Sequence, residues 1–178
     1  MRSVTIARNY AEALFDLGAR SGDSERYADL IDAVAGAVET TPVVQAMLMS
    51  PRVPKGEKAK LMGTALRDTP REFVLFLQAV IKRGRQALLR EIATEYMTLL
   101  DKRLNRVRAG VTLAREPNDA LKRSITAGLA QQLGKEVLTH FTVDPAILGG
   151  AVVRVGERIH DGSVRRRMTR LRRHLLQP

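Results

Sequence analysis

The side chains that could carry out chemistry are few, and their spacing does not build a catalytic site. Glu12 and Asp16 are four residues apart, so they share one face of a helix and could form a carboxylate pair for acid–base or metal chemistry. They flank an apolar stripe, however, and no histidine lies near them in sequence. The pattern therefore favours an exposed pair on an amphipathic helix.

Metal and nucleophile motifs are also missing. Cysteine is absent, which removes thiol nucleophiles and cysteine-based zinc sites. The histidines show no ligand spacing with one another or with an acidic cluster; they are His140, His160 and His174. Ser163 lacks the flanking pattern of a nucleophile elbow, and helix capping accounts for it better. The sequence thus argues against an enzyme, a metal centre or a cofactor site.

Charge is the strongest compositional signal. The 178 residues include 30 Lys and Arg against 19 Asp and Glu, a net charge of +11, which favours an anionic partner. An arginine cluster at residues 165–173 could bind phosphates, or it could surround the apolar stripe of a partner-facing helix. Aromatic residues are only 4% and Trp is absent, which argues against stacking on bases. Nucleic-acid binding stays the alternative to a protein-binding role.

No segment is expected to enter a membrane. The longest charge-free stretch, residues 40–51, contains Pro42 and is far shorter than the roughly 20 residues that a membrane-spanning helix needs. Glu12 and Asp16 fall where the apolar core of a signal peptide would lie.

The spacing of apolar residues predicts two parts. Up to about Leu104 they recur every three or four residues, which predicts a helical bundle punctuated by prolines; residues 72–82 form one helix, and a long last helix ends near residue 105. After Arg106 the period changes to two over residues 107–113, which is typical of a strand. Strands and helices then alternate to the C-terminus, where Val164, Met168 and Leu171 form one face of an arginine-rich helix.

Three segments carry a family resemblance. Residues 147–165 resemble the C-terminal signature of the ATP synthase delta subunit family, whose mitochondrial counterpart is the oligomycin sensitivity-conferring protein. Residues 7–15 look like that family's first helix, and residues 83–85 stand where its basic turn between the fifth and sixth helices recurs. The structural residues of the signature are Gly149, Gly150, Asp161, Gly162 and Ser163. The glycines permit close backbone approach, and Asp161 to Ser163 begin the last helix.

The resemblance implies a non-catalytic stator subunit without a cofactor, which links the catalytic F1 head to the peripheral stalk so that rotor torque drives ATP synthesis. It implies a six-helix bundle over residues 1–105, which binds the alpha subunit. Residues 106–178 would form a small β-sheet with two helices that contacts the b subunits. One copy would be present per complex, a monomer in isolation, at the cytoplasmic face of a bacterial cell membrane.

The resemblance also implies which residues bind these partners. The N-terminal helix of an alpha subunit would lie in a groove between the first and fifth helices, lined by Tyr10, Ala13, Leu14, Leu75, Ala79 and Arg83. On the b-subunit side the contacts would come from the last helix, through Val164, Met168, Leu171 and Arg167. Ordinary packing between bundle helices is the alternative for each groove residue taken singly.

Overall fold

The computed structural model describes residues 2–176, and the side chains of residues 4–173. Its internal contacts divide the chain into two compact units, Met1–Leu100 and Asp101–Pro178. The predicted boundary, between residues 105 and 106, falls a few residues later, where the first strand begins.

The first unit is built from six helices, as predicted. They are α1 (Arg2–Ser21), α2 (Ser24–Thr40), α3 (Pro42–Met49), α4 (Lys55–Ala65), α5 (Arg71–Lys82) and α6 (Leu89–Arg103). Prolines determine three of the starts: Pro42 is the first residue of α3, while Pro54 and Pro70 directly precede α4 and α5. Proline lacks an N–H, and the first helical turn needs none, so it fits these positions.

The core of this unit is apolar and contains edge-to-face aromatic pairs. Tyr27 packs against Phe73 with ring centroids 5.7 Å apart, and Phe15 packs against Tyr96 at 5.6 Å. The Tyr96 hydroxyl donates a hydrogen bond to the Ser24 carbonyl oxygen at 2.9 Å. Burial of these rings joins α1, α2, α5 and α6, and the polar tip of Tyr96 stays satisfied.

Two cations connect the helices of this unit. Lys58 is buried, and its Nζ donates to the carbonyl oxygens of Leu48 and Ser50, both at 2.7 Å, at the C-terminal end of α3. On the surface, Arg90 of α6 binds two carboxylates of α2, Asp32 at 2.8 Å and Glu39 at 2.6 Å. The hydrogen bond from Arg90 holds the pKa of Glu39 below its ordinary value.

The second unit is a four-stranded mixed sheet with two helices, also as predicted. In chain order its elements are β1 (Arg106–Leu113), α7 (Asp119–Leu133), β2 (Glu136–Val143), β3 (Ala151–Val155), β4 (Arg158–Asp161) and α8 (Val164–Leu176). The strand order is β2-β1-β3-β4: β1 and β2 are parallel across the α7 crossover, and the other two pairs are antiparallel. Asn118 caps α7, and Gly134 ends it in the left-handed conformation.

Candidate functional site

Helix α1 presents two adjacent apolar stripes. Ala7, Ala11 and Leu14 are fully buried and form the core stripe. A second stripe is rotated around the helix and stays partly accessible; its members, three or four residues apart, are Ile6, Tyr10, Ala13 and Leu17. An apolar surface this wide exceeds what one core-facing helix needs.

Helix α5 adjoins the second stripe. The ring of Phe76 packs edge-to-face on that of Tyr10, with centroids 6.3 Å apart. Beside this contact α5 exposes Leu75, which is 53% accessible, together with Ala79 and Arg83. The two helices therefore frame a largely apolar surface, called here the α1–α5 groove and defined by the accessible residues Ile6, Tyr10, Ala13, Leu17, Leu75, Ala79 and Arg83, with the buried Phe76 in contact with Tyr10.

The structure changes the interpretation of one predicted groove residue and adds others. Leu14 has no exposed surface, so it supports the groove from inside the core and does not line it. Phe76, Ile6 and Leu17 were not assigned to the groove from sequence. Ile6 lies four residues before Tyr10, Leu17 four after Ala13 and Phe76 three before Ala79, and this spacing is the sequence signal that places each on the same helix face as a predicted groove residue.

Helix α8 carries an exposed apolar stripe, called here the α8 stripe and formed by Val164, Met168 and Leu171. Val164, Met168 and Leu171 lie on one face and are 39%, 60% and 61% accessible, and Arg167 is exposed beside them. Solvated surfaces of single chains seldom keep large side chains aligned in this way. All four residues predicted for the stalk side are thus available for contact.

The glycine-rich signature positions the start of α8. Gly150 has a φ of 77°, and a Cβ atom there would lie 2.5 Å from the Gly162 carbonyl oxygen, so no other residue fits without a shift. The Asp161 carboxylate accepts the Ser163 N–H at 2.9 Å, and the Ser163 hydroxyl oxygen accepts the Arg166 N–H at 3.1 Å. Hydrogen bonds from the Ser163 hydroxyl and then its N–H lower the pKa of Asp161. The motif is therefore a helix cap, and Ser163 is buried within it.

Residues with catalytic potential are not brought together. Glu12 pairs with exposed Arg8 at 3.2 Å. His140 and His160 are exposed, and the side chain of His174 lies outside the described residues. Among the described residues, no group of three or more His, Asp or Glu side chains could hold a metal ion. Within the same part of the chain, no helix is long and apolar enough to cross a membrane.

Known proteins similar to this chain match it almost from end to end. The family model described as "ATP synthase delta (OSCP) subunit" matches residues 6–175. The chain is 44% identical to ATP synthase subunit delta of Gemmatimonas aurantiaca over 96% of this chain and 93% of that protein. It is 33% identical to the subunit of the same name from Desulforamulus reducens, over 96% and 95%.

A solved structure shares the fold. A chain of the Toxoplasma gondii mitochondrial ATP synthase hexamer superimposes with a TM-score of 0.73 and covers 97% of this chain and 98% of its own length. Its sequence identity is 18%, so the likeness extends to the fold alone.

Proposed function

The chain belongs to the ATP synthase delta (OSCP) subunit family, and we propose that it holds its complex together through the α1–α5 groove and the α8 stripe. It is a non-catalytic stator subunit of ATP synthase that connects F1 to the peripheral stalk. The predicted family, function class and non-catalytic role are thereby confirmed. Which surface meets which partner is the proposal.

The α1–α5 groove receives the N-terminal helix of an alpha subunit. Amphipathic helices dock in apolar grooves through side chains spaced by three and four residues. The α1–α5 groove runs between two helices and so can accept such a helix. Ala13 and Ala79 are small and let a third helix approach closely. Covering the half-exposed Leu75 contributes about 1 kcal/mol, and the Tyr10 ring adds apolar area with a polar tip that can bond at the rim.

The α8 stripe binds the b subunits of the stalk. Met168 and Leu171 expose more than half of their surface, and burial of such side chains is the main source of affinity at protein interfaces. Arg167 lies at the edge of this stripe, where its charge can orient the partner.

Two surfaces on one chain suit a mechanical joint. Rotor torque acts on the head, so the joint must dissociate far more slowly than the enzyme turns over, and slow dissociation requires buried contacts. Once one surface is bound, the other binds at a raised effective concentration. As part of the same proposal, the chain acts at the cytoplasmic face of a bacterial cell membrane, as one copy per complex and a monomer in isolation.

Titration with a synthetic peptide of the host alpha-subunit N-terminus tests the groove, and duplex and single-stranded oligonucleotides test the alternative function. We expect peptide binding that survives added salt, because the contacts are apolar, whereas nucleic-acid binding would fall steeply with salt. Tyr10→Asp should weaken peptide binding about tenfold or more, since it places a charge against an apolar helix. Ala33→Asp, an exposed change on α2, is the control.

Either of two results would refute this assignment. One is unchanged peptide affinity in Tyr10→Asp. The other is no peptide binding together with strongly salt-dependent oligonucleotide binding, which would turn attention to the arginines of α8.

A further inference from the structure

The arginines of α8 are not spread evenly around the apolar stripe. Arg165 and Arg172 flank the stripe on one side and Arg167 on the other, by helical spacing. The remaining arginines, four and three residues apart, share the opposite face: Arg166, Arg170 and Arg173. Helix α8 therefore presents a second surface, which the contact proposed for the b subunits does not use.

This second face lines two clefts that share residues. One, of about 510 Å³, lies between α8 and the β3–β4 hairpin, and Val153, Ile159 and His160 contribute to its walls with Arg166 and Arg170. The other, of about 400 Å³, is lined by Arg166, Thr169, Arg170 and Arg173. Both clefts contain Arg166 and Arg170, and the surface that their described residues line is called here the arginine groove.

The charge of this groove is poorly balanced within the chain. Asp161 is the one carboxylate among its described lining residues, and it lies 3.9 Å from Arg166 while it accepts the Ser163 N–H. Within the described part of the chain, Arg170 and Arg173 have no ion-pair partner. The positive charges of these two arginines are therefore available to attract an anion from another molecule.

The walls of the groove indicate what kind of anion fits. Ile159 is 59% accessible on the edge strand β4, and Val153 is half-buried beside it. Among the described residues that line it there is no Phe, Tyr or Trp on which bases could stack. An occupant with acidic side chains and a few apolar ones satisfies both the arginines and Ile159.

We propose that the arginine groove binds an acidic, partly apolar polypeptide segment of another subunit of the ATP synthase complex, separately from the α8 stripe. The inference rests on the proposed function only in its choice of the complex as the source of the segment. It also accounts for part of the net charge of +11, which neither proposed apolar surface requires.

The test is a binding scan of the full-length chain against overlapping peptides that cover the host ATP synthase subunits. Peptides that bind are retitrated with two double variants of equal charge change. Arg170→Glu with Arg173→Glu alters the groove and leaves the Asp161–Arg166 pair intact. Arg165→Glu with Arg172→Glu alters the flank of the apolar stripe. Circular dichroism checks that both variants fold.

We expect at least one acidic peptide whose affinity falls about tenfold or more in the groove variant and less than threefold in the flank variant. An equal loss in both variants would mean generic charge attraction and overturn the proposal. So would the absence of any acidic peptide that binds, or a duplex oligonucleotide or anionic lipid vesicle that binds the groove more tightly. Met168→Asp, which tests the b-subunit contact, should leave this peptide's affinity unchanged, so failure of one proposal is distinguishable from failure of the other.

Discussion

Gly150→Ala should destabilise the second unit more than any other single-methyl addition to its glycines. A φ of 77° costs a residue with a Cβ about 1–2 kcal/mol. The new Cβ would also lie 2.5 Å from the Gly162 carbonyl oxygen, whereas real Cβ contacts essentially never fall under 3.0 Å. The turn that caps α8 must therefore move, and a lost cap costs about 1 kcal/mol more. We expect a total of about 2–4 kcal/mol.

Two matched glycines separate these contributions. A Cβ atom at position 134 would have no neighbouring atom within 4 Å, and the φ of Gly134 is 64°. Gly134→Ala should therefore cost only the conformational contribution to stability, about 1–2 kcal/mol. Gly128 lies inside α7 with open space around it, so Gly128→Ala should stabilise by up to about 1 kcal/mol.

The assay must observe the second unit alone. All three tyrosines lie in the first unit and Trp is absent, so intrinsic fluorescence does not report on it. Urea unfolding monitored through the amide NMR signals of β1 does report on the second unit. If Gly150→Ala proved no less stable than Gly134→Ala, the close approach of the two backbone turns would not be the constraint that we infer.

Two further predictions concern the first unit. Lys58→Met should cost about 1–3 kcal/mol in urea unfolding followed by tyrosine fluorescence, because the Ser50 carbonyl oxygen loses the Lys58 donor and that of Leu48 keeps only the Gln86 side-chain amide at 3.2 Å. A change below about 0.5 kcal/mol would contradict this. The pKa of Glu39 is lower in the folded protein than its ordinary value of 4.5, because Arg90 donates a hydrogen bond to its carboxylate. This bond therefore stabilises the fold fully at pH values above 4.5, and its contribution is lost as the pH falls through the folded-state pKa. The stability difference between wild type and Glu39→Gln should therefore shrink between pH 7 and pH 3, and a constant difference would argue against the pair.

The fold follows from local signals that agree with one another. Prolines at the starts of α3, α4 and α5, and the change of apolar period at β1, are read directly from sequence because each acts within a few residues. The cap at residues 161–163 is equally local. These features predict a helical bundle followed by alternating strands and helices, and the count of six helices comes from the family resemblance.

The surfaces were less predictable because they depend on contacts between distant residues. Leu14 and Tyr10 lie four residues apart on α1, yet packing places Leu14 in the fully buried core stripe and leaves Tyr10 partly accessible on the second stripe. Phe76 joins the groove only because its ring meets Tyr10, 66 positions away. Likewise, the arginines of α8 are evident in sequence, but the clefts that they share with β3 and β4 arise from the fold.

The most direct test of the connector function is reconstitution from separate parts. F1 stripped of this subunit, a soluble segment of the stalk b subunit and the purified chain are mixed, and complexes are resolved by analytical ultracentrifugation. We predict that F1 and the stalk segment sediment together only when the chain is added, that Tyr10→Asp releases F1, and that Met168→Asp releases the stalk segment. Equal co-sedimentation without the chain, or a chain that binds neither partner, would contradict the account.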